Sequence, residues 1–139
     1  MDLSVLVVMN NRSVCEQLAD HLGRAGMRVR GATSLVQAEA LVDEPVGMLV
    51  VDAQMPDGDG LDFGQRLRSY LGCGVIMCMD RDDKALRIAL LRGGANACLV
   101  APIDPDELEA TLISVYRCLQ APSPNPLPMQ VPIPWLLDG

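Results

Sequence analysis

Short, nearly continuous apolar runs alternate along the chain with segments in which apolar residues recur at helical spacing. Such runs suit strands buried on both faces of a parallel sheet. The first, residues 4–9, is followed by Val14, Leu18, His21, Leu22 and Ala25, which fall on one helix face, and Gly26 ends that helix. A second strand is expected over 27–31, then a helix capped by Ser34, carrying Leu35, Ala38 and Val42 and closed by Pro45. The third strand, 47–52, runs into a loop over 53–60 loaded with Pro, Asp and Gly, and a helix follows over 61–71. A fourth strand, 75–79, precedes a helix over 82–93. The fifth, 97–100, leads through Pro102 to a helix starting near Asp104, where Asp104-Pro105-Asp106-Glu107 supplies a cap, a proline at the first helical position and an acidic first turn. Its apolar stripe is Leu108, Leu112, Val115 and Leu119. Five βα units in a row predict the α/β class: a five-stranded, doubly wound parallel sheet with right-handed crossovers and functional groups at the carboxyl ends of its strands.

From Ala121 the pattern stops, because residues 121–134 carry six prolines and read as an extended linker. Residues 135–139 form an apolar stub with the chain's single Trp. One domain over 1–120 is therefore expected, a common size for a compact unit. Aromatic residues make up only 3%, so the core must be built from Leu, Val, Ala, Ile and Met. A net charge of −7 argues against this segment gripping nucleic acid, which needs clustered Lys and Arg. Cys15, Cys73, Cys78, Cys98 and Cys118 are odd in number and lack metal or redox spacing, so they read as reduced core residues. No basic leader precedes an apolar stretch, and no apolar run approaches the roughly 18–20 residues needed to span a bilayer. A cytoplasmic chain without membrane contact is expected.

Asp52 stands at the end of the third strand, before the Gly-rich loop, where a carboxylate is a placed group. Val50-Val51-Asp52 with Met55-Pro56-Asp57-Gly58-Asp59-Gly60 resembles the phosphoacceptor strand and loop of response-regulator receiver domains, the CheY-like fold. Gly94-Ala95-Asn96-Ala97-Cys98-Leu99-Val100-Ala101-Pro102 is similar to the same family's glycine-alanine-aspartate turn, fifth strand and lysine-proline pair. The resemblance runs from Leu3 to Leu119 and implies a cis bond before Pro102.

The departures from the family pattern fall on its chemistry. Two acidic residues that hold Mg²⁺ with the phosphoacceptor are replaced by Met9 and Asn10, the phosphoryl-sensing hydroxyl by Met79 and the lysine by Ala101. Mg²⁺ needs hard oxygen ligands in near-octahedral geometry, and a thioether neither supplies one nor donates a hydrogen bond. The resemblance therefore implies a vestigial phosphoacceptor at Asp52, degenerate pocket positions at Met9, Asn10, Met79, Ala101 and Pro102, weak or absent Mg²⁺ binding and no catalytic residue. A histidine kinase partner, normal for the family, is left uncertain. Apolar neighbours are expected to raise the Asp52 pKa. Asp57, Asp59, Asp62 and the group Asp80, Asp82 and Asp83 lack EF-hand spacing and read as solvated. His21 has no Cys or His at ligand spacing and reads as packed or capped, so no metal site is expected.

The helix over 82–93 is apolar over a wide arc, through Ala85, Leu86, Ile88, Ala89, Leu90 and Leu91, which implies a second covered face. In OmpR/PhoB-type regulators the fourth helix, fifth strand and fifth helix form the dimer interface. That resemblance puts Leu86, Arg87, Leu90, Leu91 and Cys98 on a homodimer face, with family charges lost at Asn96, Ala97 and Thr111. Pro134-Trp135-Leu136-Leu137-Asp138 resembles the first effector strand of the same regulators, so 135–139 reads as the start of a winged-helix DNA-binding domain. The function expected is an atypical receiver of a two-component-type transcriptional regulator, dimerising without phosphorylation and reaching DNA only through an effector domain outside this chain. Its rivals are a stand-alone receiver-like adaptor binding another protein, and a receiver still phosphorylated on Asp52 by an unusual route.

Overall fold

The computed structural model describes residues 2–42 and 45–120. Five strands, β1 (Ser4–Val8), β2 (Arg28–Ala32), β3 (Met48–Asp52), β4 (Gly74–Met79) and β5 (Ala97–Val100), pair in parallel in the order β2-β1-β3-β4-β5. The intervening helices are α1 (Arg12–Arg24), α2 (Leu35–Glu39), α3 (Gly60–Leu71), α4 (Lys84–Arg92) and α5 (Pro105–Gln120). Because β1 is flanked by β2 and β3, strand order reverses there, and a crevice opens at the carboxyl ends of β1 and β3.

Strand alternation divides the interior into two layers. Leu6, Val8, Leu49, Val51, Met77 and Met79 join Leu35, Phe63, Leu67 and Leu90 under α2, α3 and α4. Val5, Val7, Val50, Ile76 and Cys78 join Leu18, Leu22, Leu108 and Leu112 under α1 and α5. The central strands are buried on both faces, as their continuous apolar runs require, whereas edge strand β2 keeps Arg28 exposed.

Each helix begins on a side-chain cap that relieves its unpaired N–H groups. Asn11, Ser34, Asp59, Asp83 and Asp104 accept from the amides of Val14, Gln37, Leu61, Leu86 and Asp106. Gly72 ends α3 in the left-handed region, at φ +68°. Two elements differ from expectation. Helix α2 stops at Glu39, and Val42 lies beyond it yet still packs on the core. The loop after β3 forms a two-residue antiparallel ladder, Gln54–Met55 with Gly58–Asp59, too short to leave a period in the sequence. Cys15, Cys73 and Cys78 are buried and Cys98 is half-buried, but Cys118 is exposed on α5, so the core assignment fails for that thiol. The linker over 121–134 and the stub over 135–139 lie outside the described residues. Among those described, no helix is long and apolar enough to cross a membrane.

Candidate functional site at the carboxyl end of β3

Asp52 is the last residue of β3 and points into a cavity of about 500 Å³ lined by Met9, Asn10, Val14, Gln17, Asp80, Ala101, Pro102 and their neighbours. Its position follows from local geometry. Residue 52 pairs with Cys78 in β4, so its side chain shares the α1/α5 face with that thiol. The chain then turns sharply, with the Ala53 amide donating to the Cys78 carbonyl and the Gly60 amide to the Ala53 carbonyl. A Cβ at Gly60 would overlap the Asp52 carbonyl oxygen, so only glycine fits where α3 starts.

The Asp52 carboxylate accepts one hydrogen bond, 2.7 Å from the backbone N–H of Asn10 to Oδ2. Burial holds its carboxyl above the usual carboxylate range; the Asn10 N–H lowers it in part, and the like charge of Asp80 raises it further. Among the described residues, no Lys, Arg or His lines the cavity. The expectation of a raised Asp52 pKa agrees with this environment, although Asp80 contributes to it and was not foreseen. Its place directly after β4, at a strand's carboxyl end, was the signal available for it.

The expected pocket positions do not all converge. Met9 is buried against the α1/α5 layer and lines the cavity, as do Asn10, Ala101 and Pro102, and the Ala101–Pro102 peptide is cis. Met79 does not. It is 2% exposed and turned to the opposite layer, under α3 and α4, because β4 remains regular to its last residue and alternation sends residue 79 away from residue 78.

The acidic loop residues have local duties. Asp57 reaches across to α2 and accepts from the amides of Leu35 at 2.9 Å and Val36 at 3.0 Å, which pull its carboxyl below the ordinary range. Asp59 and Asp83 are caps, Asp62 pairs with Arg66 at 3.3 Å, and Asp82 pairs with Arg87.

On the expected dimer face, Leu90 is a correction. It is 2% exposed and belongs to the core, because it lies on the stripe of α4 that meets the sheet. Leu86 is half-buried against the same layer, as is Cys98, whose thiol is pushed up by burial and drawn down by nearby Arg87. The outer surface of α4 carries Ile88, 38% exposed, and Leu91, 44% exposed, beside exposed Ala85 and Ala89. The neutral Asn96 has a duty inside the domain. Its Oδ1 accepts from the Val75 amide at 2.9 Å and from Arg68 at 3.3 Å, fastening β5 to β4 and α3.

Comparison with known proteins agrees with this architecture. AruR, a transcriptional regulatory protein of Pseudomonas aeruginosa, is 31% identical over 97% of this chain and 59% of its own length. KdpE, the KDP operon transcriptional regulatory protein of Escherichia coli, is 32% identical over 89% of this chain and 56% of its own. This chain thus spans between half and two thirds of either regulator. Among solved structures, the beryllofluoride-activated NtrC4 receiver domain dimer superposes with a TM-score of 0.77, at 24% identity, over 84% of this chain and 98% of that one, a likeness of fold. The profile of the response regulator receiver domain matches residues 5–113, and the chain belongs to that family of receiver domains.

Proposed function

We propose that this receiver domain has lost its phosphorylation switch and controls an attached effector by dimerising without a phosphoryl group. The observation that carries the reading is the cavity around Asp52, which retains the acceptor carboxylate but, among the described residues, has no cationic lining and presents Met9, Asn10 and Ala101. Phosphoryl transfer depends on positioning and on neutralising charge over the transferred group. Here the charge that acts on Asp52 is that of Asp80, of the wrong sign, and burial already disfavours the Asp52 anion. The positions that carry the family's metal ligands do not fit a magnesium ion either. Met9 offers sulfur in place of a hard oxygen, Asn10 a neutral amide, and Asp52 Oδ2 is engaged by a backbone N–H.

Dimerisation would use the outer surface of α4 with β5 and α5, where Ile88 and Leu91 leave apolar area uncovered. Apolar contact of this kind needs no phosphoryl-driven rearrangement, which supports a constitutive dimer. No catalytic role is assigned to any residue. Contact with DNA belongs to an effector domain following residue 120, in keeping with the names of AruR and KdpE as transcriptional regulatory proteins. The site lies in a segment with no membrane-crossing helix among the described residues, consistent with a cytoplasmic regulator.

The test is intact mass after incubation with Mg²⁺ and a small acyl-phosphate donor, beside an Asp52→Ala control. The expected result is no phosphoryl adduct on either chain. An adduct on the native chain alone would return the protein to the phosphorylation-switched class.

A further inference from the structure

His21, Asp106 and Glu109 come together at the edge of the contact between α1 and α5, where the last turn of α1 meets the start of α5. His21 Nε2 lies 2.9 Å from Glu109 Oε1 and 3.4 Å from Asp106 Oδ1, and the three ligand atoms all lie within 4.8 Å of one another. Asp106 and Glu109 stand three positions apart on one helix and so share a face. The two helices are held in place beneath this cluster by Leu18, Leu22, Leu108 and Leu112, all fully buried or nearly so.

We propose that these three side chains bind a zinc-class divalent cation that ties α1 to α5. Zinc bonds of about 2.0–2.2 Å to nitrogen and oxygen place tetrahedral ligand atoms roughly 3.2–3.5 Å apart, close to the two His21 separations, and the two carboxylates, within 4.8 Å of each other, close onto the ion by turning their side chains. One imidazole with two carboxylates is a donor set that selects zinc and its neighbours over magnesium or calcium, which prefer oxygen alone. The charge pattern points the same way. A single imidazole Nε2 faces two carboxylates at once, so a dication held among them would meet one nitrogen and two anionic oxygens. The Asp106 side chain is 90% exposed, which leaves the outer position open to water, as in a three-ligand site. This inference does not depend on the state of Asp52, which lies in a different cavity.

His21 is the sole histidine of the chain, so its imidazole proton resonances report the site directly. On addition of one equivalent of Zn²⁺ to the full chain, those resonances are expected to shift or broaden, with no response to Mg²⁺. Glu109→Gln should weaken the Zn²⁺ affinity at least tenfold and His21→Gln should abolish it, with unchanged circular dichroism in both variants. Co²⁺ substitution separates this site from the free thiols. Weak d–d bands without a sulfur-to-metal charge-transfer band are expected, and they should survive Cys118→Ser. Imidazole resonances unmoved by Zn²⁺, affinity retained in folded His21→Gln, or a charge-transfer band lost in Cys118→Ser would each overturn the proposal and leave a simple ion pair between the helices.

Discussion

Asp52 and Gly60 show how much a single side chain, or its absence, decides here. The Asp52 carboxyl is raised in the folded state, so folding is favoured by protonation and opposed by its charge. Its contribution to stability is full below the ordinary carboxylate pKa and is lost as pH rises through the raised folded value. Asp52→Asn removes that loss while keeping an acceptor for the Asn10 N–H. Calorimetry at pH 7 should find a melting temperature raised by roughly 2–5 °C, a modest gain because solvent screens the partly exposed group. The gain should vanish as pH falls into the ordinary carboxylate range. Gly60→Ala should cost about 2–4 kcal/mol in urea unfolding, because the new Cβ meets the Asp52 carbonyl, backbone that cannot move aside. Asp57 has the opposite pH sign. Its lowered carboxyl stabilises the fold above the ordinary range and ceases to as pH falls through the folded value. Hydrogen exchange should therefore find the Leu35 and Val36 amides less protected in Asp57→Ala at neutral pH.

Among the elements, α4 separates packing from surface most clearly. Its sequence is apolar almost all round, and only the tertiary contacts sort Leu90 into the core from Ile88 and Leu91 outside it. Leu90→Ala should destabilise the domain by about 2–4 kcal/mol, the usual cost of a cavity, while leaving association per folded chain unchanged. Ile88→Glu with Leu91→Glu should leave the unfolding midpoint nearly fixed and reduce self-association. Chemical denaturation and sedimentation on the same samples distinguish these outcomes. Helix α2 illustrates the converse, since its short run of regular turns depends on Asp57 reaching over from a loop 21–22 positions later. Periodicity alone extended it to Val42, because Val42 still packs on the core beyond the last regular turn and so keeps its place in the apolar pattern.

For the whole molecule, the proposed constitutive dimer makes a prediction about mass. Sedimentation equilibrium should give a concentration-dependent monomer–dimer average in buffer alone, unchanged by acyl phosphate and Mg²⁺. The net charge of −7 adds mutual repulsion between chains, so raised ionic strength should strengthen the association rather than weaken it. An association that appeared only after treatment with the acyl phosphate would refute the constitutive reading.

The order of strands and helices, the class of the sheet and the place of Asp52 were legible in the sequence because each rests on local rules. Apolar runs buried on both faces, caps and glycine stops act within a few residues, and a carboxylate ending a strand is placed by topology as soon as the strands are counted. The family resemblance likewise located Met9, Asn10, Ala101 and the cis Pro102 around that carboxylate. What the sequence did not carry is direction and distance between parts far apart in the chain. Met79 turned away from the cavity because strand alternation continued to the end of β4, Asp80 entered it, and Asn96 became a clasp between strands. His21 met Glu109 across 88 positions, a pairing that no spacing rule within one helix could reveal. These outcomes depend on how helices settle on a twisted sheet, a global packing problem solved only when every face is covered at once.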